Sequence, residues 1–172
     1  MSEEKINPMR EIRIHKIVIN IGCGEAGEKL DRAKKLLMGL VGKESVCVTK
    51  TSSRTTFGMP KGRAIGVKLI LRRAEAMDFL KKAFESVDNK IKKTIFDKQG
   101  GFSFGIKEHI SFPGVRYDPS IGIYGMDVCV SLERRGYRVM RKRGGNKISK
   151  KHRITSDEAL GWVQNNFNVK IE

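Results

Sequence analysis

The sequence predicts an α+β fold: a two-layer sandwich with a mostly antiparallel five-stranded sheet, helices on one face and the other face open. Three observations carry this. Five stretches, at 12–21, 46–51, 65–71, 102–106 and 126–132, alternate apolar and polar residues with the period of a half-buried strand. Their apolar side chains fall on one face: Ile17 with Ile19, Val46 with Val48, Val67 with Leu69, Phe102 with Phe104, Val128 with Val130. The opposite face carries Asn20, Thr49, Thr51, Lys68, Ser103, Lys107, Cys129 and Ser131, whereas a parallel sheet covered on both sides reads as continuous apolar runs.

Taken in order, residues 1–11 form a tail in which Pro8 discourages helix. The first strand ends in the glycines of 22–27. Leu30, Ala33, Leu37 and Leu40 then recur at helical spacing, with Gly42 as the stop. A second strand, a long loop over 49–66 and a third strand follow. Met77, Leu80, Phe84, Val87, Ile91 and Ile95 form one apolar stripe and predict a long second helix. Gly100-Gly101 turns the chain into the fourth strand, and Pro113, Gly114, Pro119 and Gly122 mark 111–122 as an exposed connection before the fifth. Residues 134–153 read as a basic, loop-like extension. Thr155 and Glu158 form a capping box that opens a last helix, with Ala159, Trp162, Val163 and Phe167 inward. A chain of 172 residues organised in this way is expected to be a single domain over 1–172.

The charge narrows the function. Lys and Arg number 35 against 19 Asp and Glu, a net +16, which is the electrostatic footprint of a nucleic-acid binder. The cations concentrate in two acid-free stretches. The loop over 49–66 holds Lys50, Arg54, Lys61 and Arg63. The extension holds Arg141, Lys142, Arg143, Lys147, Lys150, Lys151 and Arg153 among others. Cations crowded on a polar arm repel one another, and laying the arm against phosphate relieves this. The open sheet face, with Asn20, Thr49 and Lys68, suits contacts to phosphate and ribose. It lacks the aromatic pair that stacks bases in some RNA-binding sheets, so recognition of RNA shape and backbone is expected.

Other classes fit poorly. Gly22-Cys23-Gly24-Glu25-Ala26-Gly27 satisfies the dinucleotide pattern after a strand, but the second strand ends in Thr49-Lys50-Thr51 without an acid for the ribose. Glu25 and Glu28 also sit where pyrophosphate needs positive potential. Gly101-Phe102-Ser103-Phe104-Gly105 satisfies the hydrolase elbow, yet Ser103 lies inside an alternating strand. The acids are dispersed, which disfavours an RNA-directed enzyme. Cys23, Cys47 and Cys129, like His15, His109 and His152, are too scattered for a zinc site or a disulfide framework, so no cofactor is expected. No apolar run approaches a membrane span, and the first residues, MSEEKINPMRE, contain no hydrophobic signal segment, so a cytoplasmic chain without a membrane partner is expected.

Several stretches together carry a family resemblance. Asn7-Pro8-Met9-Arg10, residues 20–25, the loop from Thr49-Lys50 through Phe57-Gly58 to Ile65-Gly66, residues 105–109, residues 117–125 and residues 151–155 resemble the universal L five family of large-subunit ribosomal proteins, in its archaeal and eukaryotic form. The resemblance covers nearly the whole chain. It implies a non-enzymatic constituent of the ribosome in the central protuberance, with the open sheet face on 5S ribosomal RNA and Asn20 and Thr49 in contact with it. Further implied partners are large-subunit ribosomal RNA and the neighbouring 5S-binding ribosomal protein. The loop with Arg54, Phe57, Lys61 and Arg63 resembles the arm that reaches P-site tRNA. Phe112, Pro113, Gly114, Arg116 and Asp118 resemble the surface that meets a small-subunit head protein. Lys43 and Ile70 depart from the glutamine and threonine that bacterial members carry there.

Overall fold

The computed structural model describes residues 7–42, 46–52, 60–144 and 146–171. Along the chain come β1 (Ile12–Gly22), α1 (Glu28–Val41), β2 (Cys47–Lys50), β3 (Ala64–Leu71), α2 (Arg73–Glu85), β4 (Lys90–Ile91), β5 (Phe102–Ile106), β6 (Met126–Arg134), α3 (Arg138–Arg141), α4 (Ser156–Phe167) and β7 (Lys170–Ile171). Five strands make one sheet in the order β2-β3-β1-β6-β5, and every neighbouring pair is antiparallel. The α+β architecture expected from the alternating strands is therefore the one observed, and a doubly wound dinucleotide fold is not.

The covered face follows from the period-two pattern. Ile17, Ile19, Ile21, Val67, Leu69, Leu71, Val128 and Val130 are all buried. Against them lie Leu30, Ala33, Leu36 and Leu37 of α1, Phe79, Leu80, Ala83 and Phe84 of α2, and Ala159 and Val163 of α4, in one contiguous core. Phe84 is its centre: its ring lies 5.4 Å from Phe104 and 6.3 Å from Phe102, and Phe167 meets it edge-on at 5.1 Å. Burying such a ring contributes about 2–3 kcal/mol, and each aromatic pair adds about 1 kcal/mol more.

The glycines after β1 form a tight strand-to-helix turn. The amides of Cys23 and Gly24 both donate to the Ile65 carbonyl, and Gly27 precedes α1 at φ 116°. Gly42 closes α1 in the left-handed conformation, and Thr155 and Glu158 cap α4 reciprocally.

The second helix is shorter than its apolar stripe predicts. It ends at Glu85, because Asp88 and Asn89 adopt left-handed backbone at φ 55° and 54° and turn the chain back, the Asn89 amide donating to the Phe84 carbonyl. Ile91 then enters β4, which pairs in parallel with β7, and stays buried there. The extension after β6 contains a helical turn at α3 and another turn at Lys150–His152 rather than loop alone.

Candidate nucleic-acid interface

The open face is organised in rows that cross the sheet. One row spans all five strands: Cys47, Lys68, Asn20, Asp127 and Gly105 stand opposite one another in turn. A second joins Ile70, Val18, Cys129 and Ser103, and Lys16 lies across from Ser131. Ser103 is thus exposed within a strand, in no nucleophile elbow. Lys68 and Asn20, expected as RNA contacts, are brought side by side and reach solvent. Asp127 stands beside Asn20 and is exposed; sequence reasoning misses it, although the alternation of β6 places it there. Ile70 is exposed on this face, and Lys43 lies outside the described residues.

Thr49 stands opposite Gly66 at the end of the face. Its Oγ1 is shielded from solvent and has no hydrogen-bond partner among the described residues. Gly66 is required at this crossing, since a Cβ there would lie 2.8 Å from the Ile21 carbonyl oxygen of the central strand. Thr51, expected on the open face, is instead buried. Its amide donates to the Arg63 carbonyl at 2.9 Å, its hydroxyl donates to the Pro60 carbonyl at 2.8 Å, and the Arg63 amide donates to that hydroxyl at 3.0 Å. These bonds tie Thr51 to the turn at 60–63, so Lys61 and Arg63 project from a fixed turn; both are exposed, as is Lys50 at the end of β2. Arg54 and Phe57 lie outside the described residues.

The basic extension divides into tethered and free cations. Glu133, almost fully buried, accepts from Arg13 Nε at 3.0 Å and Nη2 at 2.7 Å through one oxygen, and from Arg141 Nη2 at 2.8 Å through the other. Burial alone pushes its carboxyl up, but the Arg141 and Arg13 hydrogen bonds outweigh this and hold it below the ordinary value. Arg141, expected to neutralise RNA phosphate, is therefore committed to Glu133. Arg134 is likewise buried: it donates to Glu158 Oε1 at 2.8 Å, to the Arg10 carbonyl at 3.0 Å and to the His152 and Arg153 carbonyls at 3.3 and 3.4 Å. Lys142, Arg143, Lys147, Lys150, Lys151 and Arg153 remain exposed, with no carboxylate within 4.0 Å among the described residues.

The connection between β5 and β6 is anchored at both ends. Phe112, expected on an exposed contact surface, belongs to the core, its ring 5.4 Å from Phe79. Pro113, Gly114, Arg116 and Asp118 are exposed. Ser120 donates its hydroxyl and its amide to Asp118 Oδ1, which lowers the Asp118 carboxyl from its usual range. Tyr124 fixes the far end by donating its hydroxyl to the Lys29 carbonyl and its amide to His109 Nδ1.

Among the described residues no group of three or more His, Cys, Asp or Glu side chains is placed to hold a metal, and no helix is long and apolar enough to cross a membrane.

Residues 7–59 match the family described as Ribosomal protein L5, and residues 64–162 match the C-terminal part of the same ribosomal family. The chain belongs to the ribosomal protein L5 family. Its relatives include the large ribosomal subunit protein uL5 of Sulfolobus acidocaldarius, 47% identical over 98% of this chain and 95% of the relative. The uL5 proteins of Pyrobaculum aerophilum and Archaeoglobus fulgidus are each 46% identical, over 98% and 92% of this chain and 94% and 89% of theirs. The family is a ribosomal and non-enzymatic one.

Proposed function

We propose that the chain is a structural constituent of the large ribosomal subunit that lays its open sheet face on 5S ribosomal RNA in the central protuberance. The row Cys47–Lys68–Asn20–Asp127–Gly105 carries this reading: it is a mainly polar, solvent-facing row on a basic chain of the ribosomal protein L5 family. Lys68 and Asn20 hydrogen-bond backbone oxygens of the RNA, and Thr49 and Lys50 extend the contact at one end. Lys142, Arg143, Lys147, Lys150, Lys151 and Arg153 neutralise phosphates of large-subunit RNA, with Arg141 positioning the extension. The turn at 60–63 presents Lys61 and Arg63 to P-site tRNA, and Arg54 and Phe57 join them in that contact. Pro113, Gly114, Arg116 and Asp118 face a small-subunit head protein, and a neighbouring 5S-binding ribosomal protein completes the set of partners.

The test uses purified protein with 5S ribosomal RNA and with tRNA over a salt series. Binding of both weakens as salt rises, because association releases condensed counterions. Lys50→Gln with Lys68→Gln weakens 5S RNA binding at least tenfold, whereas Arg54→Gln, Lys61→Gln and Arg63→Gln together weaken tRNA contact and leave 5S RNA binding within about twofold. Equal loss of both ligands in both variants overturns this division of the surface.

A further inference from the structure

We propose that a cationic groove at the Ile12 end of the sheet holds a second, unpaired stretch of RNA, gripped by Arg10, Arg72, Arg73 and Arg138 with Trp162 as a stacking platform.

The groove arises from the pairing of the central strand. β1 meets β6 from Ile12 onward but meets β3 only from Ile17 onward, so the first turn of α2 and the flank of α4 close over a space beside the unpaired start of β1. Its volume is about 1260 Å³. That exceeds the roughly 300–1,000 Å³ of small-molecule pockets, so it suits a length of chain better than a metabolite. Three carboxylates line it, and each already faces an arginine: Glu11 with Arg135, Glu133 with Arg13 and Arg141, Glu158 with Arg134. Arg10, Arg72, Arg73 and Arg138 are exposed along it with no carboxylate within 4.0 Å among the described residues. The groove therefore carries a surplus of guanidinium groups, whose planar fork matches phosphate oxygens.

One further feature favours RNA over an acidic peptide, and a second marks the groove as a ligand site. Trp162 is half-buried in the lining, edge-on to Phe167, with exposed Asn165 beside it and the Asn166 amide donating to the Trp162 carbonyl at 2.8 Å. Indole, guanidinium and planar amide together are the set that stacks and hydrogen-bonds unpaired bases. Arg73 is held at φ 57°, a left-handed backbone that side-chain-bearing residues rarely adopt and that recurs where a residue serves a ligand. The groove is a separate site from the sheet row. Asn20 lies eight residues along β1 from Ile12, roughly 26 Å at about 3.3 Å per residue.

The inference rests on the reading that this chain works on RNA, and its test is independent of the 5S RNA contact. Trp162 is the single tryptophan of the chain, so its fluorescence reports the groove alone. Full-chain protein is titrated with a ten-nucleotide oligouridylate. Saturable quenching is expected, with a slope of log affinity against log salt that falls by about 1.4 in Arg72→Gln/Arg73→Gln, about 0.7 for each phosphate contact removed. That variant is expected to lose at least tenfold in affinity. Arg73→Gly, which removes the cation and relieves the left-handed backbone, keeps its urea midpoint or raises it and still weakens quenching, which separates loss of contact from loss of fold. Lys50→Gln/Lys68→Gln leaves the quenching titration within twofold, even if the 5S RNA reading fails. Absence of quenching, quenching indifferent to the arginine substitutions, or equally tight quenching by a polyglutamate peptide overturns the proposal.

Discussion

Glu133→Gln is the sharpest probe of how the basic extension is held. The substitution keeps the shape of the side chain and removes its charge, and the new amide turns donors toward the donors of Arg13 and Arg141. Three hydrogen bonds to a carboxylate are affected, each worth about 1.5–3 kcal/mol when an ion is involved. Severing a fully buried pair costs about 3–5 kcal/mol. Here the arginine side chains are 53% and 44% exposed while Glu133 is 9% exposed, so water re-solvates the cations but reaches the acid poorly. Discounting accordingly gives a loss of about 2 kcal/mol, or about 1 M in urea midpoint at a typical slope for a chain of this size. The pH dependence has a definite sign. The folded-state carboxyl lies below the ordinary 4.5, so its stabilisation is complete above that value and disappears as pH falls through the lowered one. Urea unfolding of both proteins at pH 7 and pH 3 should show the gap at pH 7 and a smaller gap at pH 3. His15 supplies a second readout. Burial, then the Arg141 charge, lowers its pKa, while Glu133 raises it, so the substitution moves the His15 titration lower still in NMR. A variant within about 0.5 kcal/mol of the parent at pH 7, or a gap undiminished at pH 3, refutes the clamp.

Gly66→Ala places a Cβ against the Ile21 carbonyl of the central strand, where only backbone can yield; a loss of about 2 kcal/mol is expected, a fall of roughly 4–8 °C in thermal melting. An unchanged melting temperature would show that β1 and β3 separate freely at that crossing. Thr49→Val removes a shielded hydroxyl that has no partner among the described residues and should raise stability by about 1 kcal/mol in urea unfolding. A drop in stability means that the hydroxyl is satisfied. Weaker 5S RNA binding by this stabilised variant is the outcome that makes Thr49 an RNA contact. Asp127→Asn removes the acid beside Asn20 on the open face and should tighten 5S RNA binding about threefold, from a repulsion of about 0.6 kcal/mol at a phosphate distance of about 7 Å in water. Weaker binding would instead mean that Asp127 accepts a hydrogen bond from ribose.

The sheet is legible because burial on one side forces the period of two, and Ile17, Ile19, Val67, Leu69, Val128 and Val130 obey it with no competing pattern. The apolar stripe over 77–95 overstates the second helix for a related reason. Ile91 is buried whether the chain continues as helix or returns through a two-residue strand, so the stripe does not distinguish the two. Asp88 and Asn89, both tolerant of left-handed backbone, carry the only local sign of the break. Pro113-Gly114 makes Phe112 look like surface, yet one aromatic ring suffices to pin an exposed connection to the core. In the basic stretches, composition counts cations without revealing their partners. Arg141 and Arg134 meet Glu133 and Glu158 only once β6, α3 and α4 are folded together. The groove draws on segments near residues 10, 72, 138 and 162, a convergence that spacing along the chain does not encode.

The end of β6 explains why so basic an extension is held beside the sheet. Glu133 and Arg134 are adjacent, so the strand directs them to opposite faces. On the open side Glu133 draws in Arg13 and Arg141. On the covered side Arg134 reaches Glu158 and the carbonyls of Arg10, His152 and Arg153. One dipeptide thus grips the extension near its start and near its end. The His152 ring adds a contact between its Nε2 and the Arg135 carbonyl at 2.9 Å. The backbone carrying Lys147, Lys150, Lys151 and Arg153 is consequently held beside the sheet by the protein's own contacts. Ordering a flexible side chain on association costs about 0.5–1.5 kcal/mol, and ordering a free backbone costs more. Fixing the backbone in advance leaves only the side-chain part to be lost on binding. On the proposed reading of the extension as an RNA contact, buried Glu133 would serve affinity indirectly, by holding cations where phosphate can meet them.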